Sequence, residues 1–411
     1  MMRLSILFAV LLLLGLVPSS AADGPAMPWG PTPSAATAYA RAGGIADLGR
    51  MFFFDRSLSA SGQVACATCH DPAYAFSPAN AASVQLGGPD LKRQGIRAVP
   101  GLMYGQGVPP FSEHFFESED EGDESVDQGP TGGRDWDGRV DRARDQAALP
   151  LLDRNEMANA SPEAVVTAVA QGPYAPEVRR LYGQDVFTDP ARVFAAVTEA
   201  LEFFQQTPAT FSPFSSKYDA FLAGSATLTS QETRGLAVFN DPAKGNCAHC
   251  HKSAATPDGQ PPLFTDRGFV ALGVPRNPAI AANSNPAYFD LGLCGPERHD
   301  LARRADYCGL FKAPTLRNVA LRNSFYHNGV FHSLRQAVDF YATRDTDPKR
   351  WYPVGSGGVV RKFDDLPPGY AGNVNMELPF GDKRVLSDAD VDDLVAFLRT
   401  LTDGYAAHGQ P

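Results

Sequence analysis

Apolar residues in this 411-residue chain recur at three- and four-residue spacing in separate stretches. Nowhere do they alternate through successive segments joined by hairpin turns, which predicts an all-α scaffold with long loops. Val193, Val197, Leu201 and Phe204 share one side of a helix predicted over 190–206, and a helical pattern also covers 162–181. Val391, Leu394, Val395, Leu398 and Leu401 form a stripe that Gly404 ends and that Ser387 with Asp390 opens as a capping box. Thr229 with Glu232 opens another helix in the same way. With Ser333 as N-cap, Leu334, Ala337, Val338 and Tyr341 lie on one inward stripe. Stretches 85–133 and 254–313 exceed ordinary connections, and loops that long usually carry function or wrap around something. The Pro, Ser, Phe and Gly residues between 206 and 229 suit a linker, with a boundary near 212.

The pattern also repeats. Leu48 to Asp55 and Arg234 to Asn240 each read as a short amphipathic helix, and each is followed by a loop and a CxxCH pentad. The pentads are Cys66-Ala67-Thr68-Cys69-His70 and Cys247-Ala248-His249-Cys250-His251. In such a pentad two thiols can form thioethers to a porphyrin edge while the adjacent imidazole reaches the iron. Four cysteines in two pairs could hold zinc instead, but zinc has no need of a histidine directly after each second cysteine. Two covalently bound haem c groups are therefore expected.

Arg3, the apolar run Leu4 to Val17 and the small residues before Asp23 read as a secretory signal over 1–22. The run is short for a membrane span, so no span is expected after cleavage, and the expected compartment is the periplasm. Cys294 and Cys308 are the two thiols outside the pentads, and in that compartment a disulfide is the default. The net charge of −10 lacks the basic stripe that nucleic-acid binding requires. Acid concentrates in the run Glu117 to Asp127, either a solvated connection or a docking patch for a basic redox partner.

A proximal histidine leaves one axial position on each iron, and its occupant decides between electron transfer and chemistry. Beyond Trp136-Asp137-Gly138-Arg139 come Gln146 and Pro150, one helical turn apart, and then Glu156. Pro150 is expected to end that helix and return Glu156 over the same pocket. There a carboxyl can take a proton from the inner oxygen of hydrogen peroxide and pass it to the leaving oxygen, with Gln146 orienting a water or the peroxide. The plain alternative is a surface or capping acid. In the second half Tyr341 is either a core tyrosine or a phenolate ligand, and Met376 is the rival ligand.

These residues resemble the bacterial di-haem cytochrome c peroxidase family, in particular its MauG-like branch, from about Leu48 to Leu401. The resemblance rests on Phe53-Phe54-Asp55 with Leu58-Ser59, both pentads, Trp136 to Arg139, Phe311 to Ala320, and His327-Asn328-Gly329. It implies two cytochrome c-like domains, 23–211 and 212–411, with one haem each. The His70 haem would be peroxidatic, faced by Gln146, Pro150 and Glu156. The His251 haem would transfer electrons with Tyr341 as its second ligand, and Trp136 would carry electrons between the two. The implied partners are hydrogen peroxide and either an electron-donor cytochrome or small redox protein or, as in MauG-like members, a protein substrate. A non-catalytic di-haem electron carrier is the alternative. Family members commonly hold calcium through an Asn in Arg-Asn-x-Pro and two carbonyls. The matching stretch here is Arg97-Ala98-Val99-Pro100, without that Asn, and the carbonyls would be those of Arg322 and Ser324. His114 is the one candidate for a distal histidine in the first half.

Overall fold

The structure is a computed structural model that describes residues 34–115, 127–256 and 259–406. The signal at 1–22 and all but the last residue of the acidic run lie outside the described residues. The chain separates into residues 1–40 and 41–411. Of the first unit only Ser34 and the start of a helix are described, and there the Ser34 hydroxyl lies 2.9 Å from Thr37 Oγ1. All that follows concerns the second.

Its regular structure is almost entirely helical, and the strands among the described residues are two residues long. Phe269–Val270 pairs antiparallel with Phe311–Lys312, and Leu86–Gly87 with Arg93–Gln94. One buried cluster runs from Ile45 to Phe211. In it the helix Pro190–Gln205 buries Val193, Val197, Leu201 and Phe204 and packs on the helices Ala143–Leu152 and Pro162–Gln171. A second cluster runs from Tyr218 to Leu401, where Ser230–Asn240 packs along Asp388–Arg399. Thr229 with Glu232 and Ser387 with Asp390 cap those two helices with both reciprocal bonds. At Gly235 an added Cβ would sit 2.0 Å from the Asp393 carbonyl oxygen, so glycine sets this close approach.

Three local expectations are corrected. The pattern over 162–181 forms two helices, Pro162–Gln171 and Ala175–Tyr182, because Gly172-Pro173 interrupts the backbone ladder. Pro150 does not end its helix, which runs on to Leu152; the missing N–H falls in the last turn and costs only the bond to the Gln146 carbonyl. The stretch between 206 and 229 holds the helices Pro208–Phe211 and Lys217–Leu222, since Phe211 and Tyr218 are buried anchors. Cys294 and Cys308 are joined by a disulfide with Cα atoms 5.0 Å apart.

Candidate active site

Each pentad is wound into one helical turn, Cys66–Cys69 as an α-turn and Cys247–His249 as a 3₁₀ turn. The histidine N–H closes on the first cysteine's carbonyl, at 2.9 Å for His70 and 2.8 Å for His251. Nδ1 of His70 lies 3.0 Å from the Phe76 carbonyl, and Nδ1 of His251 lies 2.9 Å from that of Phe264. A carbonyl can only accept, so Nδ1 carries the proton and Nε2 keeps its lone pair for a metal. Burial keeps both rings neutral, pushing His70 down to about 4 and His251 below its ordinary value. The four thiols are free and are pushed up to about 12, chiefly by burial.

A cavity of about 360 Å³ opens before the second pentad, lined by Cys247, Cys250, His251 and Tyr341 and walled by apolar side chains such as Val274 and Leu398. Its size and largely apolar walls suit a large flat ligand. Tyr341 comes from the helix Leu334–Thr343, whose N-cap Ser333 accepts from the Gln336 N–H. Its ring stacks on Phe380 at 5.3 Å, and the Arg344 guanidinium lies 3.6 Å over that same Phe380. Burial and the facing thiols push the phenol above its ordinary value, while Arg344 opposes them. Met376 does not line the cavity; it is 51% exposed, with its sulfur 3.2 Å from Arg344 Nη2.

Gln146 and Pro150 share the helix Ala143–Leu152. The Pro150 carbonyl accepts from Met157 N–H at 3.1 Å, which turns the chain back, and Glu156 carbonyl oxygen accepts from Gly88 N–H at 2.8 Å. A Cβ at Gly87 would stand 2.2 Å from the Asn155 carbonyl oxygen, so only glycine lets this segment lie where it does. Glu156 is within electrostatic reach of both thiols of the first pentad. Its side chain is exposed to water, although protein atoms crowd around the carboxyl. That desolvation, with the like charges of Asp153 and Asp135, pushes its carboxyl up to about 7 against the pull of Arg139. Gln146 Nε2 donates to Asp135 Oδ1 at 3.2 Å. Asp135 is a residue the sequence reading missed, although it directly precedes Trp136.

Trp136 is 8% exposed and faces the cavity, with Nε1 donating to the Ala98 carbonyl at 2.7 Å. The other residues of its motif are structural. Asp137 is fully buried and pairs with Arg97 at 2.6 Å and Arg139 at 3.1 Å. Gly138 has φ +63°, with Phe269 where a Cβ would go. Arg97 also grips Asp290 at 2.6 and 2.8 Å. Burial alone would raise the Asp290 carboxyl, but Arg97 outweighs it and holds the group below the usual range. His114, the candidate distal histidine, is instead an exposed partner of Asp127.

Whether the chain can accept haem carboxylates is answered by three cations on the cavity wall. Arg134, Arg267 and Lys312 make no ion pair among the described residues, and Arg134 Nε is buried with no hydrogen-bond partner. Burial, with Arg267 and Arg134, pushes Lys312 down to about 7 despite the pull of Asp135 and Asp137, and burial with Arg134 pushes Arg267 to about 10. Such charges call for an anion, so the residues present fit haem in thiols, imidazoles, walls and charge alike.

The comparisons with known proteins agree with this chemistry. The family described as di-haem cytochrome c peroxidase matches residues 44–227. Methylamine utilization protein MauG of Paracoccus denitrificans is 35% identical over 373 residues, covering 87% of this chain and 88% of that protein. Cytochrome c551 peroxidase of Nitrosomonas europaea is 27% identical, covering 72% of each. The crystal structure of the diheme peroxidase BthA from Burkholderia thailandensis is similar with a TM-score of 0.76 and 40% identity, covering 87% of this chain and 86% of that one. With two complete attachment pentads and this breadth of similarity, the chain belongs to the di-haem cytochrome c peroxidase family.

Proposed function

We propose that this enzyme is a periplasmic di-haem peroxidase that reduces hydrogen peroxide at the His70 site and draws electrons through the His251 site. Cys66 and Cys69 would hold one haem c with His70 on its iron, and Cys247 and Cys250 the other with His251 and Tyr341. Two such groups would supply a peroxide-splitting iron and a second iron that exchanges electrons with it. Residues 23–211 and 212–411 would be the two haem domains, a division supported by core clusters that end at Phe211 and begin at Tyr218. The signal pattern and the disulfide support the compartment.

Glu156, held near pH 7, takes the proton from the inner oxygen of peroxide and gives it to the outer one, which leaves as water. Over the full cycle two electrons and two protons turn one peroxide into two waters. Gln146, with its amide nitrogen bound to Asp135, keeps its carbonyl oxygen free to accept from the peroxide. Arg134, Arg267 and Lys312, on the cavity wall, would meet the haem carboxylates. Trp136, on the cavity wall, would offer an indole for electron passage between the two haems. Tyr341 would provide an oxygen ligand, which would favour oxidised over reduced iron and so withdrawal of electrons from a protein substrate over entry from a donor cytochrome.

The observation that carries this reading is the asymmetry of the two pentads: a carboxylic acid faces the first, a phenol the second. The test is to add peroxide to the fully ferric protein and follow both haems by electron paramagnetic resonance. Loss of both ferric signals without added reductant is expected. Two inert low-spin haems would instead identify a plain electron carrier.

A further inference from the structure

The cation that joins the two halves beside Trp136 is part of the chain itself. Arg322 Nη2 donates to the Val99 carbonyl at 3.0 Å, Nε to the Ser324 carbonyl at 3.3 Å, and Nη1 to Ser77 Oγ at 3.4 Å. No carboxylate pairs with it among the described residues, and burial without a counter-charge pushes it down to about 10. Val99 follows Ala98, whose N–H donates to the His327 carbonyl at 2.7 Å and whose carbonyl accepts the Trp136 indole. The guanidinium thus fastens the short segment on which Trp136 hangs.

Calcium does not fit at this place. It takes six to eight oxygens, and here Ala98 supplies no side-chain oxygen, one of the two expected carbonyls, that of Ser324, already accepts from Arg322 Nε, the guanidinium brings its own positive charge to the place, and no carboxylate cluster lies among the described residues. We propose that the Arg322 guanidinium is a resident cation at this seam, occupying the role a calcium ion would play, and that it positions the Ala98–Val99 carbonyls and through them Trp136. The metal claim stands independently of the proposed activity; the effect on Trp136 rests on it.

The test uses the full-length protein with both haems. It is loaded with calcium chloride, desalted and analysed for metal by mass spectrometry, then treated with EGTA while haem absorption and thermal midpoint are followed. No bound calcium and no change with EGTA are expected. One retained calcium per chain, or a chelator-induced shift, overturns the proposal whatever the variants do. Arg322→Ala should lower the midpoint and slow the response of the second haem to peroxide several-fold. Arg322→Lys should keep part of that response, and guanidinium ion below denaturing concentrations should restore it to Arg322→Ala. If Arg322→Ala folds and matches wild type in both readouts, positioning is refuted. If it does not fold, a folded Arg322→Lys protein whose second haem responds to peroxide at the wild-type rate, or a calcium-bound wild type, refutes it. Absence of peroxide turnover in a calcium-free wild type would sink the proposed activity and leave the resident cation intact.

Discussion

Glu156 sets the pH behaviour of the whole enzyme in the proposed function. A base must be deprotonated to accept a proton, so the rate of reaction with peroxide should rise with pH through about 7. Glu156→Gln should lower that rate by about 10²- to 10⁴-fold and remove the rising limb, and stopped-flow kinetics across that range would show an unchanged limb if another group carries the proton. The sign for stability is opposite. A carboxyl whose folded pKa is raised binds more protons than the unfolded chain, so its favourable contribution is present at low pH and fades as pH rises through about 7. Glu156→Gln should therefore unfold at a higher temperature than wild type at pH above 7. For the second site, Tyr341→Phe should change the low-spin spectrum of the His251 haem; an identical spectrum would remove Tyr341 from the ligand role.

Single elements place these residues, and they explain what the sequence could reveal. Contiguous spacing carries the whole of each pentad, and a cap directly before a stripe is enough to direct Tyr341 inward. Glu156 had no such local frame. Its position depends on Gly87 and Gly88, about seventy residues away, and such a fit is invisible in a pattern of apolar residues. The same holds for Asp135 on Gln146 and for Arg322 on Val99, because long polar side chains choose partners by distance in space. Replacing Gly87→Ala should push the Asn155–Glu156 backbone away and slow the peroxide reaction by about tenfold or more, as misplacement near 1 Å does. The spectrum of the second haem should stay as in wild type, and a normal rate would show that the segment tolerates the methyl group.

Across the molecule, long loops do the joining that sheets do elsewhere. The disulfide between Cys294 and Cys308 closes a loop whose neighbourhood holds Asp290, the partner of Arg97, and Arg298, which donates to the Asp137 carbonyl at 2.9 Å. Both contacts buttress the Trp136 turn, so the bridge braces the space between the sites. Cys294→Ser with Cys308→Ser should cost about 3 kcal/mol, read from denaturant unfolding of the haem-loaded protein. A loss below experimental error would show that the surrounding packing alone holds the loop.

The grip of Arg97 on both Asp137 and Asp290 has a consequence for biogenesis. Its three members lie at positions 97, 137 and 290, and stripping one partner from a buried ion pair costs about 3–5 kcal/mol. A polypeptide severed between its cores would keep Arg97 with Asp137 on one piece and strand the Asp290 carboxylate on the other. In the proposed function the Trp136 turn would therefore take its final form only when the segments around positions 97, 137 and 290 have folded together.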